Sequence, residues 1–415
     1  MVTFSRHTLE NGLRVLVHED SSTALAAMNI LYDVGSRDED PDLTGMAHLF
    51  EHLMFGGTAL IPEFDRYLLI AGGENNAFTN NDITNYYITL PADNIETAFW
   101  LESDRMNLLD FSERNLKVQK NVVIEEFNQR YLNQPYGDAM LLLRPLAYTI
   151  HPYRWPTIGM SADHIRNATL AKAEEFFFTH YAPNNAILTL AGNIKEDKAI
   201  KLAEKWFGKI EKRAVRSRSL PSEPVQTGAR SLAVERDVPV DSLYKVWHTC
   251  PRTGNDFYTL DLITDILAGG ESGRLFTKLV RQRKIFSEIN AYITSDLDPG
   301  LLILHGKLMK GIDSQHAEEA VNNVINELKI KYTAIPEIEK VKNKFESANV
   351  FANTNVLNKA MNLSFYELIG NPDLINTEVC LYRNIDRRMI ADAANRYFDP
   401  ANCSTLYYKS KPCIK

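Results

Sequence analysis

Apolar residues recur along the chain with two different periods, and the switches between them mark out the elements. Short runs of Val, Ile and Leu at Leu13–Val17 and Ala26–Val34 predict strands, and the Glu10-Asn11-Gly12 turn before them has hairpin chemistry. From Gly45 to Phe55 the period lengthens: Met46, Leu49, Phe50, Leu53 and Met54 fall at helical spacing, and Gly56-Gly57 ends the run. Helices are likewise predicted over Ile61–Ile70, Ile95–Leu109, Glu113–Tyr131 and Glu196–Phe207, with strands over Asn85–Leu90 and Ala186–Leu190. The first half therefore mixes helices and strands.

Between Lys212 and Arg236 the pattern lapses into basic, Ser-, Pro- and Gly-rich sequence with no apolar period, which predicts a linker. Its Lys212, Arg213, Arg216, Arg218 and Arg230 read as a solvated hinge. Beyond it the element order recurs loosely. A strand is predicted at Leu243–Trp247, a helix at Phe257–Leu267, strands at Ile289–Thr294 and Leu301–Lys307, and helices starting near Gln315 and Pro336. The expected fold is α+β: two similar lobes, each a mostly antiparallel sheet packed against helices, spanning 1–211 and 237–415 and joined by the linker 212–236.

Composition narrows the function classes. A chain of 415 residues, 45% hydrophobic and 24% charged, has the balance of a globular protein with more than one core. A net charge of −7 argues against a nucleic-acid binder built on phosphate contacts. Cys250, Cys380, Cys403 and Cys413 are irregularly spaced and form neither a zinc ribbon nor a disulfide framework, which suits a reducing compartment. The N-terminal residues lack a signal-peptide pattern, and no stretch approaches the roughly 20 apolar residues of a membrane span. The expectation is a cytoplasmic protein, or a periplasmic one if the chain is a processed form.

Candidate chemistry lies in His48-Leu49-Phe50-Glu51-His52. Residues four apart on a helix are neighbours one turn along, so both imidazoles face the same way and can share a cation. Glu51, three after His48, lies near that face, where a carboxylate reaches a metal-held water without ligating the metal. Zinc suits imidazole and carboxylate ligands, and a catalytic site keeps three protein ligands and one open position. Downstream, Asn121-Val122-Val123-Ile124-Glu125-Glu126 ends in two acids on a helix, either of which completes such a shell. His7, His18, His164, His180, His248, His305 and His316 have no ligand-spaced partners.

The chain resembles the pitrilysin/insulinase family of zinc peptidases with the inverted H-x-x-E-H motif, specifically the branch that includes the mitochondrial processing peptidase. The likeness runs from Leu9-Glu10-Asn11-Gly12-Leu13-Arg14-Val15 through Gly35-Ser36-Arg37-Asp38-Glu39 to Gly45–Thr58. It continues at Gly72–Thr79, His151-Pro152-Tyr153, Pro156–Gly159 and Tyr181–Asn185.

The resemblance implies one zinc ion per chain on His48, His52 and Glu126 in the N-terminal lobe, selecting Glu126 over Glu125, with Glu51 as general base. The second lobe then has no metal site. It also implies an extended peptide substrate added to a sheet edge at Asn76 and Ala77, in a chamber closed by two lobes. Two positions depart from the family: Gln119 stands where a supporting glutamate is usual, and Glu288 stands where a tyrosine seven after Arg281 is usual. The first implies lower activity with the metal shell still complete; the second implies a homodimer, or a heterodimer with a related subunit that supplies the Arg/Tyr pair. The competing class is a structural or assembly subunit that keeps the fold without catalysis; such subunits typically lose the motif that this chain retains.

Overall fold

The computed structural model describes residues 1–215 and 218–411, so Arg216 of the expected hinge and Cys413 lie outside the described residues. The fold is α+β, with two sheets that each carry helices. The first sheet comprises β1 (Ser5–Thr8), β2 (Arg14–Glu19), β3 (Leu25–Tyr32), β4 (Glu74–Thr79), β5 (Thr84–Pro91) and β6 (Ala186–Gly192), in the order β1-β2-β6-β3-β5-β4. The second comprises β7 (Arg230–Arg236), β8 (Ser242–His248), β9 (Phe286–Ile293), β10 (Leu301–Leu308) and β11 (Cys403–Ser410), in the order β7-β11-β8-β10-β9.

With β1 set aside, the two orders are the same: β2, β6, β3, β5 and β4 correspond to β7, β11, β8, β10 and β9. Each sheet has one parallel pair, β2 with β6 and β7 with β11, and is otherwise antiparallel. The loose recurrence of elements along the chain is thus a repeated strand topology.

Two expectations change. The stretch expected to be linker contains β7, whose Arg230, Leu232, Val234 and Arg236 are half-buried in strict alternation with exposed neighbours. Its polar composition hides the strand, because β7 is an edge element that forms by pairing with β11 far along the chain. The compact units are also discontinuous. The first comprises residues 1–128, 155–220 and 350–377; the second comprises 129–154, 221–349 and 378–415.

Each half of the chain therefore lends a helix to the other half's sheet. In the second unit, helix Ala139–Ala147 buries Ala139, Leu143 and Ala147 against Val246, Leu301, Ile303 and Leu406. In the first unit, helix Val356–Leu368 buries Leu363 against Leu16, Leu31 and Ile187, and Ala360 against Ala27 and Ala191. Hydrophobic periodicity shows that such a helix has an apolar face but not which sheet it covers.

Under Val356–Leu368 lies a buried polar network. The Asn29 and Asn85 amides donate to each other (2.9 and 2.7 Å), Asn29 donates to Ser364 Oγ (2.8 Å), and Ser364 donates to Thr189 Oγ1 (2.8 Å). Such groups are costly to bury unpaired, so the network favours one register of the helix on the sheet. The Arg6 guanidinium ties the same helix to β1 through the buried Glu367 carboxylate (2.6 Å).

Candidate active site

Helix Met46–Phe55 carries the motif and buries Met46, Leu49, Phe50, Leu53 and Met54, which turns His48, Glu51 and His52 to its partly exposed side. It packs against β4 and against helices Glu113–Phe127 and Leu170–His180. Phe50 anchors it, its ring stacked on Tyr181 (5.3 Å between centroids) and tilted on Phe176 (5.1 Å).

The helix has no cap of its own, since Gly45 holds φ +92°, a left-handed backbone that favours glycine and leaves no side chain to cap with. Glu39 serves instead. Its Oε2 accepts from Gly45 N and its Oε1 from Ala47 N, both at 2.8 Å, in a buried position. Burial pushes the Glu39 carboxyl well above the usual carboxylate range, while the two backbone donors pull the other way.

Glu126 comes from helix Glu113–Phe127, whose first turn is capped by Ser112 Oγ accepting from Asn115 N (3.2 Å). Val123 and Phe127 are buried, Glu126 is half-buried and Glu125 is exposed, so rotation about the helix axis turns Glu126 toward the motif and Glu125 away.

The structure brings His48, His52 and Glu126 together, with one ligand atom of each within 4.8 Å of the others. Glu126 Oε2 lies 3.6 Å from His48 Nε2 and 3.4 Å from His52 Nε2. Tetrahedral ligands about 2.0–2.1 Å from a zinc ion stand about 3.3 Å from one another, so this donor set fits such an ion. Among the described residues it is the one group of three His, Cys, Asp or Glu placed to hold a metal.

Behind the motif, Tyr86 and Tyr181 are fully buried, and burial, reinforced by the Glu51 charge, holds their phenols above the ordinary value. Arg105, buried in an ion pair with Glu102, lies over the Tyr86 ring at 4.5 Å. Together these groups form a buried floor under the helix.

Asn76 and Ala77 sit on β4, the free edge of the first sheet; Asn76 is exposed, and its Oδ1 accepts from Ala77 N (2.8 Å). Gln119 is half-buried on the Glu126 helix, two turns earlier. In the second unit Arg281 is exposed, and Glu288, exposed on β9, pairs with Lys307 (3.0 Å). Sequence reasoning missed the roles of Glu39, Tyr86 and Tyr181. Glu39 lies too far before the helix for a capping box, which spans three residues, and buried tyrosines carry no distinguishing pattern.

Cys250, Cys380 and Cys403 are free thiols. Among the described residues, no helix is long and apolar enough to cross a membrane.

The chain matches two family models: insulinase (peptidase family M16) over residues 14–146 and the peptidase M16 inactive domain over 167–344. It is 27% identical over 410 residues to zinc protease PqqE of Helicobacter pylori, covering 97% of this chain and 92% of that protein. It is 25% identical over 308 residues to a probable mitochondrial-processing peptidase subunit beta of Arabidopsis thaliana, covering 71% of this chain and 57% of that one. The crystal structure of a Helicobacter pylori protease superposes with a TM-score of 0.93 at 26% identity, covering 99% of this chain and 100% of that one. A peptidase M16 inactive domain from Pseudomonas fluorescens shares the fold with a TM-score of 0.89 at 18% identity, over 100% of this chain and 99% of that one. By these matches along nearly its whole length, and by the motif they enclose, the chain belongs to the insulinase family, peptidase family M16.

Proposed function

We propose that the chain is a zinc metalloendopeptidase acting on peptides or unfolded segments, with His48, His52 and Glu126 as ligands of one zinc ion and Glu51 as general base. The observation that carries this reading is the convergence of three donor atoms, two from the helix that also bears Glu51 and one from helix Glu113–Phe127 packed against it. Relatives named as zinc proteases support the choice of metal.

Held by His48, His52 and Glu126, a zinc ion would supply a Lewis acid that lowers the pKa of a water toward neutrality. Glu51 then takes the proton of the attacking water and delivers it to the leaving amine, so one carboxylate serves both halves of amide hydrolysis. The free edge of β4 at Asn76 and Ala77 receives the substrate backbone as an added strand, which positions the scissile bond without demanding a particular side chain.

The departure at Glu288 extends the proposal to a partner: a second copy or a related subunit completes the site with an Arg and a Tyr. The test is zinc content and cleavage of a quenched mixed-peptide library by the wild-type chain and by Glu51→Gln. One zinc per chain in both proteins, with cleavage reduced about 10²–10⁴-fold in the variant, is expected. Zinc without wild-type cleavage assigns the missing step to a partner subunit. Absence of zinc overturns the reading in favour of a structural subunit.

A further inference from the structure

We infer that Glu39 is a positioning residue for the peptidase site: its buried carboxylate, bonded to Gly45 N and Ala47 N, fixes the first turn of the motif helix and thereby the placement of His48. The inference rests on the zinc-peptidase reading above.

A helix N-terminus exposes N–H groups without intrahelical partners, and a side chain at the cap position usually satisfies one of them. Here the cap is Gly45, which has no side chain, at a φ of +92° that favours glycine. An added Cβ there would meet Ile158 O and Ile165 Cδ1 at 2.6 Å, so a capping Ser or Asp does not fit. The task passes to Glu39, which engages one N–H with each oxygen at 2.8 Å. The second of these belongs to Ala47, the residue immediately before His48, so the contact lies one peptide unit from the imidazole-bearing Cα.

Glu39 is held in turn by a braced strap. Trp155 Nε1 donates to Ser36 O (2.8 Å), fixing the backbone three residues before Glu39. Arg37, buried, pairs with Asp82 (2.8 Å) and Asp33 (3.2 Å), and Arg218 pairs with Asp38 (2.6 Å) and Asp33 (3.1 Å). Gly35 approaches the Asn81–Asp82 backbone so closely that a Cβ would sit 2.5 Å from it. A strap with this many fixed points transmits little slack to the carboxylate it presents.

The experiment is Glu39→Gln, which keeps size and shape but turns an amide NH₂ toward a backbone N–H. It is assayed for melting temperature, for zinc affinity by chelator competition, and for kcat and KM per zinc-loaded chain. The expected result is a kcat about 10–100-fold lower at little-changed KM, with weaker zinc binding, because displacement of a ligand by about 1 Å costs that much in rate. A lower melting temperature with kcat and zinc affinity unchanged would show a purely structural cap and overturn the inference.

If Glu39→Gln does not fold, Trp155→Phe decides. It keeps an aromatic six-membered ring and removes the indole donor to Ser36 O; a fall of a few-fold in kcat supports the inference, and an unchanged kcat refutes it. Wild-type protein and Glu51→Gln run alongside: a zinc-free wild type marks failure of the peptidase reading, a zinc-loaded but inactive one leaves zinc affinity as the deciding readout, and an active wild type with an equally active Glu39→Gln marks failure of this one.

Discussion

Leu363 belongs by sequence to the second half of the chain, yet its side chain is fully buried in the first unit among Leu16, Leu31, Ile83 and Ile187. Leu363→Ala removes that contact and leaves a cavity between helix Val356–Leu368 and the sheet. Large-to-small changes at such sites cost about 3–5 kcal/mol, and the two sides here, a helix and a sheet pinned by the Asn29–Ser364 bond, have little freedom to collapse.

If the helix is part of the first unit's cooperative core, that cost appears as easier opening of β3 and β6 in particular. Hydrogen exchange under native conditions should show amide protection over Leu25–Tyr32 and Ala186–Gly192 falling more than about 100-fold, since each 1.4 kcal/mol is a factor of ten. Protection over β8 and β10 in the second unit should fall much less. Unchanged protection of β3 and β6, or a loss confined to β8 and β10, would refute the exchange of helices between halves as an energetic fact.

The choice between the two acids ending the ligand helix separates cleanly: Glu126→Gln should weaken zinc binding more than about 100-fold by chelator competition, whereas Glu125→Gln, at an exposed position, should change it less than about twofold. A pH dependence follows from His248 and His305, whose imidazoles are held below the ordinary value by burial. The unfolded chain then binds more protons than the folded one, so their contribution is present above about pH 6.5 and is lost as pH falls below it, with a slope of at most about 1.4 kcal/mol per pH unit for each. Urea unfolding at pH 7.5 and 5.5 checks this, and the pair His248→Gln and His305→Gln should flatten the difference; an equal pH dependence in the variant would assign it to other groups.

The placement of the motif residues was legible in the sequence because it is local. His48, Glu51 and His52 lie within five residues, and helical geometry alone puts them on one side, so spacing was enough. The resemblance added Glu126, and the tertiary structure brought its carboxylate to 3.4 Å from His52 on a separate helix, a separation that no local period encodes. The strands with strong apolar runs, β3, β6, β8 and β10, were equally readable, since central strands must be apolar to be buried. The strand β7 was not, because an edge element takes its identity from its partner β11 rather than from its own composition. The same limit hid Glu39, whose partners lie beyond any capping spacing, and the exchange of helices Ala139–Ala147 and Val356–Leu368. An amphipathic pattern specifies that a face will be covered; the surface that covers it is chosen by long-range packing, which only the assembled chain decides.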